Sequence, residues 1–308
     1  MSVAPIFKSP CDLATRLPAM IAEFLDIEQH LKRRFREDSI TDILIASLLS
    51  LPGNQVVVMT PPEATTGGDF DIIVVEPTSS NAVQFRIQAK RLTPHHHNWP
   101  IGSYTELAHP HNSGVQSQKL VGNLGRELLP TIPLYAFYNP AHVCTASGGT
   151  VSGIELASGW EVREYIKAIV RVKPKRLPLK RIGALQPLFF PLATILCPPQ
   201  QQSDDTHFPL PSVSRAAVEE AIEKRSGFPT YTRTLDVETE AQQRTLPSSP
   251  RAPVDTHAQQ RHGGHDRDSG ETRLPAIIRT AIERRDERII KVKARRPRIL
   301  LISEPKEK

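Results

Sequence analysis

The sequence predicts an α/β fold: a helix, a three-stranded antiparallel meander, a helix and a strand, with helical additions toward the C-terminus. Three observations carry that prediction. Apolar residues at helical spacing alternate along the chain with runs of strand character. The connections between three successive strands are only a few Pro, Gly, Thr, Ser or Asn residues long, too short for a parallel crossover. The composition, 39% hydrophobic and 6% aromatic with 28 prolines in 308 residues, leaves room for one packed domain and a stretch that does not pack.

The elements follow in order. Between Asp12 and Leu31 the residues Leu17, Ile21, Phe24, Leu25 and Leu31 fall on one helical face, and the basic run Lys32-Arg33-Arg34 follows. A second helix is expected from Asp38-Ser39, whose side chains can cap it, with Ile40, Ile43, Leu44, Ser47 and Leu48 on one face and Pro52-Gly53 as its stop. Glu37 sits at its mouth. Three strands are expected over 55–60, 69–76 and 82–92. A loop with His95-His96-His97 leads to a helix over 116–129 and a strand over 132–138 that ends at Asn139-Pro140. One more helix is expected over 160–170, then a basic segment (Arg171, Lys173, Lys175, Arg176, Lys180, Arg181) and a Pro-punctuated apolar run over 182–197.

Residues 1–197 therefore form the predicted core with appended helices. Residues 198–272 read as mostly disordered linker, with a short helix over 214–224, and as a segment that could recruit a protein partner. Residues 273–308 read as a basic helix-strand segment that packs on the core: a helix over 276–285, then strands over 289–293 and 298–303. From Glu271 onward there are twelve Lys/Arg against six Asp/Glu, an excess of six that equals the whole chain's net charge of +6. With a pI near 9.3, the chain favours polyanions.

Cys11, Cys144 and Cys197 lie far apart with no CxxC pair, so neither a disulfide framework nor a cysteine zinc site is expected, and a reducing cytoplasm is the default. The longest apolar stretch, 182–197, is interrupted by Gln186, Pro187 and Pro191 and falls short of the roughly 20 residues a membrane span needs. No nucleotide-binding P-loop and no Gly-x-Ser-x-Gly nucleophile elbow occurs.

The chemistry is concentrated in the hairpin of the second and third strands. Folded about Ser79-Ser80, opposed residues sum to 159. Phe70, Ile72 and Val74 then face Ala89, Ile87 and Phe85, while Asp69 and Asp71 face Lys90 and Gln88, because side chains alternate with period two. Two acids, an amide and an ammonium at one sheet end suit hydrolysis of phosphodiesters with a hard divalent cation: oxygen ligands for the metal, and a cation to orient water and offset transition-state charge.

Gly67-Gly68-Asp69-Phe70-Asp71 and Gln88-Ala89-Lys90-Arg91, preceded by Glu37 and set in that order of elements, resemble the PD-(D/E)xK, or restriction-endonuclease-like, nuclease superfamily over about residues 37–139. The wording of the segment, with Pro133-Leu134-Tyr135 and Tyr138-Asn139 on the last strand, is similar to a bacterial branch linked to defence against phage or mobile elements. The resemblance implies a restriction-endonuclease-like core and a Mg²⁺- or Mn²⁺-dependent endonuclease acting on DNA. Carried onto this chain, Asp69 is the metal-binding aspartate, Gln88 stands where many members have a second acid, Lys90 is the motif lysine and Glu37 the helix acid. The metal would lean on Asp69, Gln88, Glu37 and the carbonyl of Ala89, with Asp71, Glu63, Gln116 and Gln118 as supporting candidates. The Gln-x-Lys form is similar to that of Mrr-like restriction enzymes, and a neutral amide implies weak metal affinity without DNA.

Blander roles compete with several of these. Asp69 and Asp71 can be turn and solvent-face residues after two glycines. Glu37 can be a helix-start acid held by the dipole, and Glu63 a loop carboxylate. Gln116 and Gln118 suit a surface helix. Adjacent histidines in an extended loop point in different directions and make a poor metal site. Trp160, Tyr165 and Phe189-Phe190 suit a core better than a base-stacking platform. The competing reading for the whole chain is a catalytically weak or inactive nuclease-fold module that binds DNA or regulates.

Overall fold

A computed structural model of the chain describes residues 6–31, 35–51, 56–76, 81–95, 98–108, 110–111, 114–122, 124, 127, 129–171, 180–199, 208–226 and 299–302. The protein is α/β, a mixed sheet flanked by helices on both faces. The chain runs α1 (Pro10–Ile27), α2 (Glu37–Leu49), β1 (Val56–Thr60), α3 (Glu63–Thr66), β2 (Phe70–Val75), β3 (Ala82–Arg91) and the small hairpins β4 (Thr93–His95) with β5 (Asn98–Ser103) and β6 (Pro110–His111) with β7 (Gly114–Val115). It continues through α4 (Gln116–Val121), β8 (Thr131–Tyr138), α5 (Ala141–Ala146), β9 (Ile154–Ser158), α6 (Gly159–Arg171), α7 (Ile182–Leu185), β10 (Phe190–Pro191), α8 (Ala193–Leu196), α9 (Pro211–Ser226) and β11 (Ile299–Ile302). Among the described residues the main sheet has seven strands in the order β10-β9-β8-β3-β2-β1-β11. The β3–β8 pair is parallel and the other neighbours are antiparallel.

Both faces of the sheet are buried, each against its own apolar cluster. One cluster joins Leu13, Leu17, Ile21 and Leu25 of α1 and Leu44 and Leu48 of α2 to Ile72, Phe85, Ile87 and Leu134. The other joins Val162, Ile166 and Ile169 of α6, Leu120 of α4 and Tyr104 to Tyr135 and Phe137 of β8. Each fully buried large apolar side chain contributes about 1.5–3 kcal/mol relative to exposure. Phe189 and Phe190 are buried in these clusters, and Trp160 packs against the first.

Several expectations are corrected. The β2–β3 register pairs Phe70 with Ile87, Asp71 with Arg86, Ile72 with Phe85 and Val74 with Val83, so opposed residues sum to 157 rather than 159. The Glu76 N–H donates to the Asn81 carbonyl, which moves the pivot one residue toward the N-terminus. A slip of two residues preserves which side chains share a face but changes who stands opposite whom. The leading helix stops at Ile27 and closes with a 3-10 turn, Glu28–His30. The second helix begins at Glu37, with Arg36 at its cap and no side-chain cap from Asp38 or Ser39. The helix expected over 116–129 spans only 116–121. The short helix expected over 214–224 is present as α9, Pro211–Ser226, and it packs Val218 and Ile222 into the first cluster. Strand β9, for which no expectation was made, extends the sheet beyond β8.

The cysteine expectation also fails. Cys11, at the start of α1, and Cys197, just past α8, form a disulfide with Cα atoms 4.9 Å apart, while Cys144 is a free thiol. The reducing-compartment default drawn from cysteine spacing loses its basis. No helix among the described residues is long and apolar enough to cross a membrane. Lys32-Arg33-Arg34, the Ser79-Ser80 turn, His96-His97, most of the basic segment 171–181, the remainder of the linker and the expected elements over 276–285 and 289–293 lie outside the described residues.

Candidate functional site

Strand β3 sets the site. Its odd positions, Val83, Phe85, Ile87 and Ala89, enter the first apolar cluster, and its even positions, Gln84, Arg86, Gln88 and Lys90, all project from the opposite, equally buried face. Four polar side chains in succession on a buried strand face are costly unless each is paired. The pairing divides them into two groups.

The inner group is an ion-pair network. Arg86 Nε donates to Asp71 Oδ1 at 3.1 Å and Nη2 to Asp71 Oδ2 at 3.2 Å, Nη1 reaches Glu127 Oε1 at 2.7 Å, and Gln84 Nε2 donates to Asp71 Oδ2 at 2.7 Å. Asp71 therefore belongs to Arg86, not to Gln88 as the expected register had it. Gly68 leaves room for this arginine: a Cβ there would lie 2.7 Å from Arg86 Cγ.

The outer group holds the expected site residues. Asp69 lies just before β2, after α3 has ended on Gly67, whose φ of 71° is left-handed. A Cβ on Gly67 would fall 2.5 Å from the Gln116 carbonyl, so a glycine is what lets this turn rest against α4. Asp69 Oδ2 accepts from the Ala89 N–H at 2.8 Å and from Gln88 Nε2 at 2.7 Å. Gln88 Nε2 also donates to the Ala89 carbonyl at 3.3 Å, while its Oε1 is buried with no hydrogen-bond partner. Lys90 Nζ, only 3% exposed as a residue, donates to Glu37 Oε1 at 3.3 Å, and the Arg91 N–H donates to Glu37 Oε2 at 2.9 Å. Glu37 is the first residue of α2, so the helix terminus delivers its carboxylate to the end of β3. Glu63 opens α3 and accepts from Gln116 Nε2 at 2.6 Å. Gln118 is exposed.

Burial pushes Asp69 up to about 7; Lys90 and the Ala89 N–H pull it down, and the charges of Glu37 and Glu63 push it further up. Burial likewise raises Glu37, against Lys90 and the Arg91 N–H. The structure thus gathers Glu37, Asp69, Gln88 and Lys90, with Glu63 and Gln116 at the edge, and separates Asp71 and Gln118 from them.

Sequence reasoning gave no role to Tyr135. It is the Cα partner of Gln88 across the β3–β8 ladder, fully buried, with a hydroxyl that has no partner. Burial first, and the Asp69 charge second, raise its ionisation well above the usual phenol range. Only the parallel register reveals it, and that depends on a crossover whose length says nothing about alignment.

Among the described residues no group of three or more His, Cys, Asp or Glu side chains is close enough to hold a metal alone. A metal here would also need amide, backbone or substrate oxygens. Those at hand, the Asp69 and Glu37 carboxylates, Gln88 Oε1 and the Ala89 carbonyl, are all hard donors suited to Mg²⁺ or Mn²⁺. The buried, unpartnered Gln88 Oε1 and a carboxyl that burial holds at about 7 are both groups that a cation would satisfy. The donor set fits.

Comparison with curated proteins and with solved structures gave no match. A family profile does match, over residues 10–308, and the chain belongs to that family of unknown function, DUF6615.

Proposed function

We propose that the protein is a divalent-metal-dependent endonuclease that hydrolyses phosphodiester bonds in DNA on a restriction-endonuclease-like core, with a role in defence against phage or mobile elements. The observation that carries this reading is the convergence of Glu37, Asp69, Gln88 and Lys90 at the end of β3, with Gln88 Oε1 lacking a partner. Asp69, Gln88, Glu37 and the Ala89 carbonyl would hold the cation. When bound, the metal supplies Lewis acidity for the phosphoryl oxygen and charge compensation for the leaving group. Lys90 supplies the fixed positive charge: transferred from Glu37 to a phosphate oxygen or an attacking water, its ammonium orients the nucleophile without reorganising solvent. Ala89 N–H and Gln88 hold the Asp69 carboxylate in one orientation. The basic balance of the chain favours a polyanionic substrate.

Incubating plasmid and linear DNA with the protein and Mg²⁺ or Mn²⁺ tests the reading. Cleavage should occur and should be lost in Asp69→Ala and Lys90→Ala; equal activity in those variants would sink it.

Two observations favour a second reading, a nuclease-fold module that binds or regulates with little catalysis. Gln88 brings no charge, and Lys90 is already engaged by Glu37. Such a module should bind DNA equally well in EDTA, with salt-dependent affinity and no products.

A further inference from the structure

A buried ion pair grips the main chain just ahead of Glu37. Glu28 opens the 3-10 turn that closes α1, Arg91 ends β3, and both side chains are buried, with Arg91 Nη2 on Glu28 Oε1. The pair then takes both backbone polar groups of one residue. Glu28 Oε2 accepts from the Phe35 N–H at 3.0 Å, and Arg91 Nη1 donates to the Phe35 carbonyl at 2.6 Å. A guanidinium that served pairing alone would lay two parallel N–H groups on the carboxylate. This one divides its fork between Glu28 and Phe35 and leaves Nε buried without a partner. Phe35 stands two residues before Glu37, and α2 starts without a side-chain cap on Arg36, so the grip on Phe35 fixes the place from which Glu37 reaches out. Arg91 thus holds the chain on both sides of the helix start: its guanidinium on Phe35, and its own N–H on Glu37 Oε2 at 2.9 Å.

We infer that Glu28 and Arg91 are positioning residues for Glu37: by clamping Phe35 they set the start of α2 so that the Glu37 carboxylate lies at the end of β3, beside Lys90 and within the donor set for a divalent cation. This rests on the metal-dependent reading above and adds two residues to it. Neither touches metal or substrate; both act through Glu37. An ion pair buried only for stability is often replaced by apolar side chains at little cost, whereas a geometry it imposes on the backbone is lost with it.

The test is a double-mutant cycle read by isothermal titration calorimetry of the full-length chain with Mn²⁺ alone, without DNA. Arg91→Lys keeps a positive charge opposite Glu28 and loses the planar fork that spans Glu28 and Phe35. It should weaken Mn²⁺ binding about tenfold, the range seen when a residue supporting a metal ligand is lost, with an unchanged circular dichroism spectrum. In a Glu37→Gln background, where the positioned carboxylate is gone, the same substitution should change the affinity less than about twofold. Equal weakening in both backgrounds, or none in the native one, overturns the positioning role while leaving metal binding intact. A Glu28→Leu, Arg91→Met double variant replaces the pair by apolar groups; it should melt within a few degrees of the native protein and still bind Mn²⁺ about tenfold more weakly. Native affinity in that variant reduces the pair to a structural one, and the Arg91→Lys cycle decides the matter if the apolar pair does not fold. Absence of Mn²⁺ binding in the native chain overturns the metal reading itself, and the positioning role with it.

Discussion

Replacing Lys90 with alanine removes an ammonium from the polar face of β3 and leaves the opposite, apolar face untouched. Cleavage should fall by at least about a hundredfold, while the thermal midpoint should stay within a few degrees, or rise as an active-site constraint is relieved. Ile87→Asp should do the reverse, placing a charge in the first apolar cluster and unfolding the sheet. If Lys90→Ala unfolds the protein as badly as Ile87→Asp, Lys90 is a structural partner of Glu37 and the nuclease reading loses its main support. Asp69 gives a pH test. Its folded value of about 7 lies above the ordinary 3.8, so the folded state binds more protons between those limits. The contribution of Asp69 to stability of the metal-free protein should therefore be fully present below about pH 4 and be lost as pH rises through about 7. Thermal melts in EDTA at pH 5 and pH 8 should show the lower midpoint at pH 8, and Asp69→Asn should shrink the difference. Burial of Glu37 and Glu155 works in the same direction and leaves a residual slope.

Along the elements, alternation was the legible part. Period two correctly assigned Phe70, Ile72, Val74, Phe85 and Ile87 to one face and Asp69, Asp71, Gln88 and Lys90 to the other, because parity survives a register error of two. The identity of opposed partners was not legible. It depends on where the hairpin turns, and the segment after Glu76 offers several adjacent turn formers. Hence Asp71 was assigned to Gln88, and Arg86 received no role although it is among the largest fully buried side chains of the described residues. That network makes its own prediction. Arg86→Leu leaves Asp71 buried without its guanidinium and should destabilise by about 3–5 kcal/mol in urea titration. Removing both charges in an Arg86→Leu, Asp71→Leu double variant should recover much of that loss, since a buried pair replaced by apolar groups is often neutral. The short helix over 116–121 shows a different limit: periodicity marks an apolar stripe but not the point where packing against a neighbour stops.

At the scale of the whole molecule, the order helix, meander, helix, strand was readable from local signals, while the β9–β10 extension, the docking of α9 and the disulfide depend on contacts between distant parts of the chain. The two bridged cysteines are separated by 186 positions, and no spacing rule reaches that far. By the loop-entropy argument such a closure contributes about 5 kcal/mol. Dithiothreitol and Cys11→Ser should each lower the thermal midpoint by several degrees, and the reductant should have no further effect on the Cys11→Ser variant.

The same bond decides how the protein bears tension. A pull applied at the two ends of the chain passes from Cys11 to Cys197 through covalent sulfur, so β1 to β10 and every residue of the candidate site are mechanically bypassed. Stretched between its ends in an atomic force microscope, the oxidised protein should release no length from this ring. After reduction, the 186 residues of separation should add roughly 60 nm of contour at about 3.3–3.6 Å per residue. A processive unfoldase that pulls from the C-terminus would meet the same stop at Cys197, with the site still folded behind it.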